Sequence, residues 1–163
     1  MKSLTYFFTI AIFSTVFIYP SATLARGTDS CGGYTSTGNP FDCCTHKDKT
    51  AGNCTWWAWK QAKDNWGESP VSSGSPSSWV SNSKANKIFA VSTDVQNPSI
   101  AVSSAHVAWV TGSYDKCLSK DKKGKCTKYE KRITGTEMNC PDQYKAQGTF
   151  DYKASSYQYI YKK

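Results

Sequence analysis

Seven cysteines, an odd number, stand behind a leader-like N-terminus in this 163-residue chain, and that combination limits the fold more than any other feature. The opening "MKSLTYFFTIAIFSTVFIYPSATLA" has one lysine, an apolar run from Leu4 to Tyr19, and small residues ending at Ala25. The run is short for a membrane span and no basic stop-transfer cluster follows it, so residues 1–25 read as a secretory signal peptide. Cleavage after Ala25 would take 25 of the 163 residues and leave 138, enough for one domain with one core. The expected location is secreted or periplasmic, where structural cysteines pair and an odd count leaves one thiol over.

Cys117 and Cys126 flank "LSKDKKGK", a polar turn with Gly124, and suit a stapled hairpin. Closing so short a loop is worth roughly 2–3 kcal/mol on the chain-entropy view. Cys31, Cys43, Cys44 and Cys140 supply two further bridges. The neighbours Cys43 and Cys44 are too close to pair readily with each other, so each should reach Cys31 or Cys140. Cys54 is then the odd one.

Residues 26–50, "RGTDSCGGYTSTGNPFDCCTHKDKT", are turn-formers without periodicity and read as an irregular arm anchored by disulfides. The domain proper is expected over 51–163. Asn53 is a good N-cap and Gly67 a good residue beyond a helix end, so a helix is predicted over Cys54 to Trp66. Trp59, Ala62 and Trp66 share one of its faces. A loop over 67–78 and a short helix over Trp79 to Asn86 should follow. Strands are then expected at Ile100–Val102 and His106–Val110, separated by a Ser103-Ser104 turn, and in "KRITGTEMN", "GTFDY" and "YQYIY". In the second strand, His106, Ala108 and Val110 should share one face and Val107, Trp109 and Thr111 the other. One helix layer followed by antiparallel strands is an α+β domain.

A thiol in the first helical turn faces unpaired backbone N–H groups and the positive end of the helix dipole, which favour the thiolate. Its base would be one of two histidines. His106 lies in a predicted strand that could cross the helix start, as a general base must to reach Cys54. Glu137 or Asn139, in "TEMN", could hold the imidazole. Taken singly, each of these residues has an ordinary structural reading; together they describe a nucleophile, a base and a positioning group. "CCTH" would be half of a metal site, but no second pair with ligand spacing accompanies it, so neither metal nor cofactor is expected.

These same stretches carry a resemblance. "GNCTWWAW" is similar to the nucleophile motif of the CHAP family, the cysteine, histidine-dependent amidohydrolases/peptidases, in which G-x-C-T-W/Y opens the first helix. "NPSIAVSSAHVAWV" resembles the family's proline-led strand and G-H-V-A-h-V histidine strand, and "ITGTEMN" its segment with an acidic residue and an asparagine. Order and approximate spacing agree over most of residues 50–162. The resemblance implies a papain-like α+β fold, a helix bearing the nucleophile on an antiparallel sheet, and cleavage of amide bonds in peptidoglycan. It matches Cys54 to the nucleophile, His106 to the base, Glu137 to the histidine's partner, and Asn139 to a further polar member. The sequence departs from the family at Ala105, where glycine is usual, in the short Ser103–Ala105 loop, in "DKCLSKDKKGKC", and in its many cysteines.

The implied activity is that of an N-acetylmuramoyl-L-alanine amidase or peptidoglycan endopeptidase working through a Cys54 thioester; the alternative is a non-catalytic wall-binding or inhibitor protein on the same scaffold. Losing Lys2 with the leader lowers the formal charge from +8 to +7, which suits anionic wall polymers, lipid headgroups or nucleic acid equally. Nucleic acid ranks last, because no interleaved basic and aromatic recognition motif is present. Outside the leader no segment is long and apolar enough for membrane insertion.

Overall fold

The computed structural model describes residues 29–46, 49–139 and 150–163. The expected signal peptide, the first residues of the arm, Cys140, and the side chains of Cys44 and His46 lie outside the described residues.

The helix α1 runs over Cys54–Trp66, as its end signals predict. Asn53 is extended (φ −92°, ψ 175°) and its side-chain oxygen accepts from the Trp56 N–H at 2.9 Å, satisfying one of the orphan donors of the first turn. At the other end Gly67 takes φ 77° and its N–H returns to the Lys63 carbonyl, a left-handed stop that a Cβ would oppose. The apolar stripe is wider than Trp59, Ala62 and Trp66. Thr55, Trp56, Trp57, Ala58 and Trp59 are all buried, so burial runs around the helix just beyond Cys54, which itself stays partly exposed.

The arm accounts for part of that burial. It holds two small antiparallel ladders, β1 (Ser30–Cys31) with β2 (Tyr34–Thr35) and β3 (Cys43–His46) with β4 (Lys49–Gly52), where the sequence suggested irregular chain. The Cys31–Cys43 disulfide, one of the open pairings, ties the two ladders together. Cys31 and Phe41 enter the main core, and the Phe41 ring lies 5.4 Å from that of Trp79. Asn39 is fully buried; its amide donates to the Trp56 carbonyl at 3.1 Å and its oxygen accepts from Phe41 N–H at 3.0 Å. Such burial is tolerated because the amide is bonded: an unmet buried polar group costs about 1–3 kcal/mol. No periodic pattern records a contact of this kind, which is why the arm looks structureless in sequence.

Six strands form one antiparallel sheet: β5 (Phe89–Ser92), β6 (Ser99–Val102), β7 (Val107–Lys120), β8 (Cys126–Thr136), β9 (Phe150–Lys153) and β10 (Gln158–Lys162), in spatial order β5-β10-β6-β7-β8-β9. The chain is therefore α+β, with α1 lying against the sheet at β7. Alternation assigns the faces as expected: Val107 and Trp109 join the helix core, whereas Ala108 and Val110 join a second core with Ile133 and Tyr159. A second helix, α2, spans Trp79–Lys84 and is shorter than the predicted segment. The β5 strand was not visible in the sequence pattern, being only four residues long, without alternation, and fixed by its pairing with β10. Among the described residues no helix is long and apolar enough to cross a membrane.

Gly135 is a close-approach point of this sheet. It pairs with Val110 on one side and Phe150 on the other, and a Cβ placed there would collide with the Trp109 carbonyl. Backbone cannot yield as a flexible side chain can. Gly135→Ala is therefore expected to destabilise the fold by about 2 kcal/mol or more, read as a lowered Tm in thermal unfolding; an unchanged Tm would contradict the close approach.

Candidate active site

The Asn53 cap places Cys54 at the first helical residue, and among the described cysteines it is the free one, partly exposed. The sheet comes to it through the short β6–β7 loop. There Ser103 N–H donates to the His106 carbonyl at 2.9 Å, and His106 N–H donates to the Ser103 hydroxyl at 3.1 Å. This clamp fixes His106 one residue ahead of β7, rather than within it. The imidazole stands beside the Cys54 thiol, and it and the Val107 backbone both draw that thiol's pKa down.

On the opposite side of the ring, His106 Nε2 lies 2.7 Å from Glu137 Oε2, which leaves Nδ1 for the thiol. Glu137 follows directly after β8 and is buried. Its position relative to the helix is set one residue earlier, where Trp57 Nε1 donates to the Thr136 hydroxyl at 3.0 Å. Asn139 Nδ2 donates to Glu137 Oε1 at 2.9 Å. All four residues singled out in the sequence thus fall in one cluster, with Asn139 touching the carboxylate rather than the imidazole.

A fifth member was missed. Tyr152, on β9, donates its hydroxyl to the Glu137 carboxylate, at 2.8 Å from Oε1 and 2.9 Å from Oε2. Its ring stacks on Phe150 (4.6 Å) and Tyr157 (5.7 Å) and meets the His106 ring edge-on at 6.4 Å. In the sequence "GTFDY" reads only as a strand; the one available signal was the density of aromatics in the last strands.

The charges reinforce one another. Burial pushes the Cys54 thiol up, but hydrogen bonds from His106 and the Val107 backbone, the imidazole's charge and the Thr55 backbone outweigh it and bring the group below its ordinary 9.0. Burial pushes His106 down, yet its bonds to Cys54 and Glu137 and their charges raise it to about 9. Burial also pushes Glu137 up, and the bonds from His106, Tyr152 and Asn139 hold it below 4.5. The directions favour a thiolate–imidazolium pair backed by a carboxylate near neutral pH. Such a set can carry out nucleophilic acyl transfer. Among the described residues no three His, Cys, Asp or Glu side chains gather as a metal ion would require.

A cavity of about 590 Å³ borders the cluster, lined among others by Lys84, Ser103, Ser104, Ser155, Ser156 and Tyr157. Cys54 is not in its wall. The cavity meets the site through Ser103, which clamps His106, and Tyr157, which stacks on Tyr152.

No protein-family model matches the chain, and no curated protein matches it. Among solved structures, an N-acetylmuramoyl-L-alanine amidase from Staphylococcus aureus is similar at a TM-score of 0.46 and 20% identity, over 76% of this chain and 35% of that one. The chain spans about a third of that protein's length, and a likeness of this size decides neither family nor activity.

Two substitutions separate the roles. With Glu137→Gln the support that raises His106 is lost, less imidazolium stands beside the sulfur, and the pH at which Cys54 is alkylated by iodoacetamide should move upward. With Tyr152→Phe the stacked ring remains but a donor that lowers Glu137 is gone, so loss of thiol reactivity on acidification should begin at higher pH. Rate-against-pH profiles matching the unsubstituted protein would exclude these two residues from the site's electrostatics.

Proposed function

We propose that this chain is a secreted, cysteine-dependent peptidoglycan hydrolase of the CHAP type, with a papain-like arrangement of helix and sheet, that cleaves an amide bond through a Cys54 thioester. The observation that carries the reading is the series Cys54–His106–Glu137, with the thiol at a helix start, the imidazole bonded to Glu137 at 2.7 Å, and thiol and imidazole shifting each other's pKa. The reaction class comes from that chemistry. The substrate class comes from the resemblance of "GNCTWWAW", "AHVAWV" and "ITGTEMN" to the CHAP motifs. The disulfides Cys31–Cys43 and Cys117–Cys126 suit an oxidising, extracytoplasmic location.

In this mechanism the Cys54 thiolate attacks the amide carbonyl carbon, forming the S–C bond of a tetrahedral intermediate. The Cys54 N–H, in the first helical turn where backbone donors lack helical acceptors, stands beside the developing oxyanion. His106⁺ gives its proton to the leaving amine as the C–N bond breaks. Neutral His106 then takes a proton from water, the hydroxide displaces the thiolate, and carboxylic acid and ion pair are restored. Glu137, held by Tyr152 and Asn139, keeps the ring oriented and its charge compensated through both steps. The adjacent cavity, rich in serine hydroxyls with one lysine, suits a substrate of sugar and amide groups carrying negative charge.

Cys54→Ala should lower release of new ends from purified peptidoglycan by more than about a thousandfold, the scale seen when a nucleophile is removed, with melting almost unchanged. Mass spectrometry of the products identifies the bond: freed muramyl lactyl groups mark an amidase, freed stem-peptide amines an endopeptidase. Equal turnover by the alanine variant ends the nucleophile assignment. Stoichiometric attachment without turnover in the unsubstituted protein makes this a binding protein instead.

A further inference from the structure

The hairpin β7–β8 is far longer than the site needs. Its root pairs with neighbours on both sides: β7 with β6 over residues 107–110, and β8 with β9 over residues 132–135. Beyond that, from Asp115–Lys131 outward, the two strands pair only with each other. At about 3.3 Å per residue, Lys120 lies about 40 Å along the strand from Val107, beside the candidate site.

A free-standing two-stranded ribbon is marginal in water, and this one carries specific reinforcement. Cys117–Cys126 staples it near the end. Asp121 ties the turn, its carboxylate accepting from the N–H of Lys123 at 2.8 Å and of Lys125 at 2.9 Å, while Gly124 takes φ 81°. The reinforced element is an array of charge. Residues 114–132 hold eight basic and three acidic side chains, a net +5 in a chain whose total is +8.

The acids are already engaged. Asp115 faces Lys131 at 3.9 Å, Glu130 pairs with Arg132 and Lys153, and Asp121 is spent on the turn. Lys116, Lys120, Lys122, Lys123, Lys125 and Lys128 are exposed; Lys116 acts on Asp151, and the other five take no part in the ion pairs of the described residues on the ribbon. Residues 119–128 contain no large apolar side chain to enter a bilayer; the exposed Leu118 and Tyr129 flank the shaft behind the tip. A planar membrane favours a basic patch with apolar residues at its leading edge. Lysines distributed along and around a narrow ribbon fit a flexible linear polyanion, whose charges follow the ribbon and whose counterions are released on contact.

We infer that the Lys-rich end of the β7–β8 ribbon is a docking arm for a phosphodiester-linked anionic polymer of the cell wall, separate from the Cys54 site. Each phosphodiester is a fixed negative charge that a lysine ammonium meets as a point contact. The choice of a wall polymer rests on the peptidoglycan reading; the charge array does not.

The test uses the Cys54→Ala chain, so that binding is measured apart from cleavage. It is titrated onto purified Gram-positive sacculi carrying their phosphate polymer, and onto the same sacculi stripped with hydrogen fluoride. The proposal expects stripping, or the substitutions K122E, K123E and K125E together, to weaken binding by at least about tenfold, with a shallower salt dependence in the substituted chain. The same three substitutions in a chain that keeps Cys54 should leave its iodoacetamide alkylation profile unchanged, which shows that the fold and the site survive. Equal binding to intact and stripped sacculi overturns the proposal, as does unaltered binding by the charge-reversed chain. So does an effect confined to anionic phospholipid vesicles or to duplex DNA, which would assign the arm to those partners. Because cleavage enters none of these readings, failure of the docking arm and failure of the hydrolase reading are distinguishable.

Discussion

The seating of the first turn of α1 against the head of β7 is the contact on which the rest depends. There a side chain and a backbone group of the sheet side, His106 and Val107, both lower the pKa of one sulfur. Helix and strand each carry local fixings of their own: the Asn53 and Gly67 caps fix the helix ends, and the Ser103–His106 clamp fixes the approach of the strand. Apolar burial then holds the two in register. Trp56, Val107 and Trp109 are almost wholly removed from water, and each large side chain so buried contributes roughly 1.5–3 kcal/mol. Polar chemistry at the helix start is possible because an apolar core beneath it supplies rigidity that a thiol and an imidazole could not supply themselves.

Around that contact the polar groups are satisfied in sequence, each by the next. Cys54 and His106 stabilise each other's charge, His106 bonds Glu137, and Glu137 receives Tyr152 and Asn139. The carboxylate is buried, so its charge is tolerable only because donors surround it. Three separate segments bring those donors: the β6–β7 loop, the chain leaving β8, and β9. The Trp57–Thr136 bond links two of the participants through a position with no part in the chemistry. It sets helix and carboxylate in a common frame.

Much of this was legible from the chain, and the division has a physical basis. The bounds of α1 follow from a cap, a left-handed stop and helical periodicity, all local signals. The Cys117–Cys126 staple follows from short separation across a turn, and the faces of β7 follow from alternation. What escaped was carried by distant contacts. Asn39 is a core residue because Trp56, seventeen positions away, offers it a carbonyl. Tyr152 belongs to the cluster because β9 pairs with β8 in one register, which puts Ile133 opposite it and Glu137 within its reach. A phenol in an aromatic-rich strand has no local mark that separates such a position from ordinary packing.

The continuity of the long ribbon with the sheet has a mechanical consequence. Both of its strands run unbroken into the interior, where β6 flanks β7 and β9 flanks β8. A pull on the tip along the ribbon axis would load those flanking ladders in shear, with their hydrogen bonds sharing the force together rather than parting one at a time. The element that reaches farthest from the body is thus also among the hardest to peel from it. Tension at its far end would be borne by the same backbone that carries the imidazole and leads to the carboxylate.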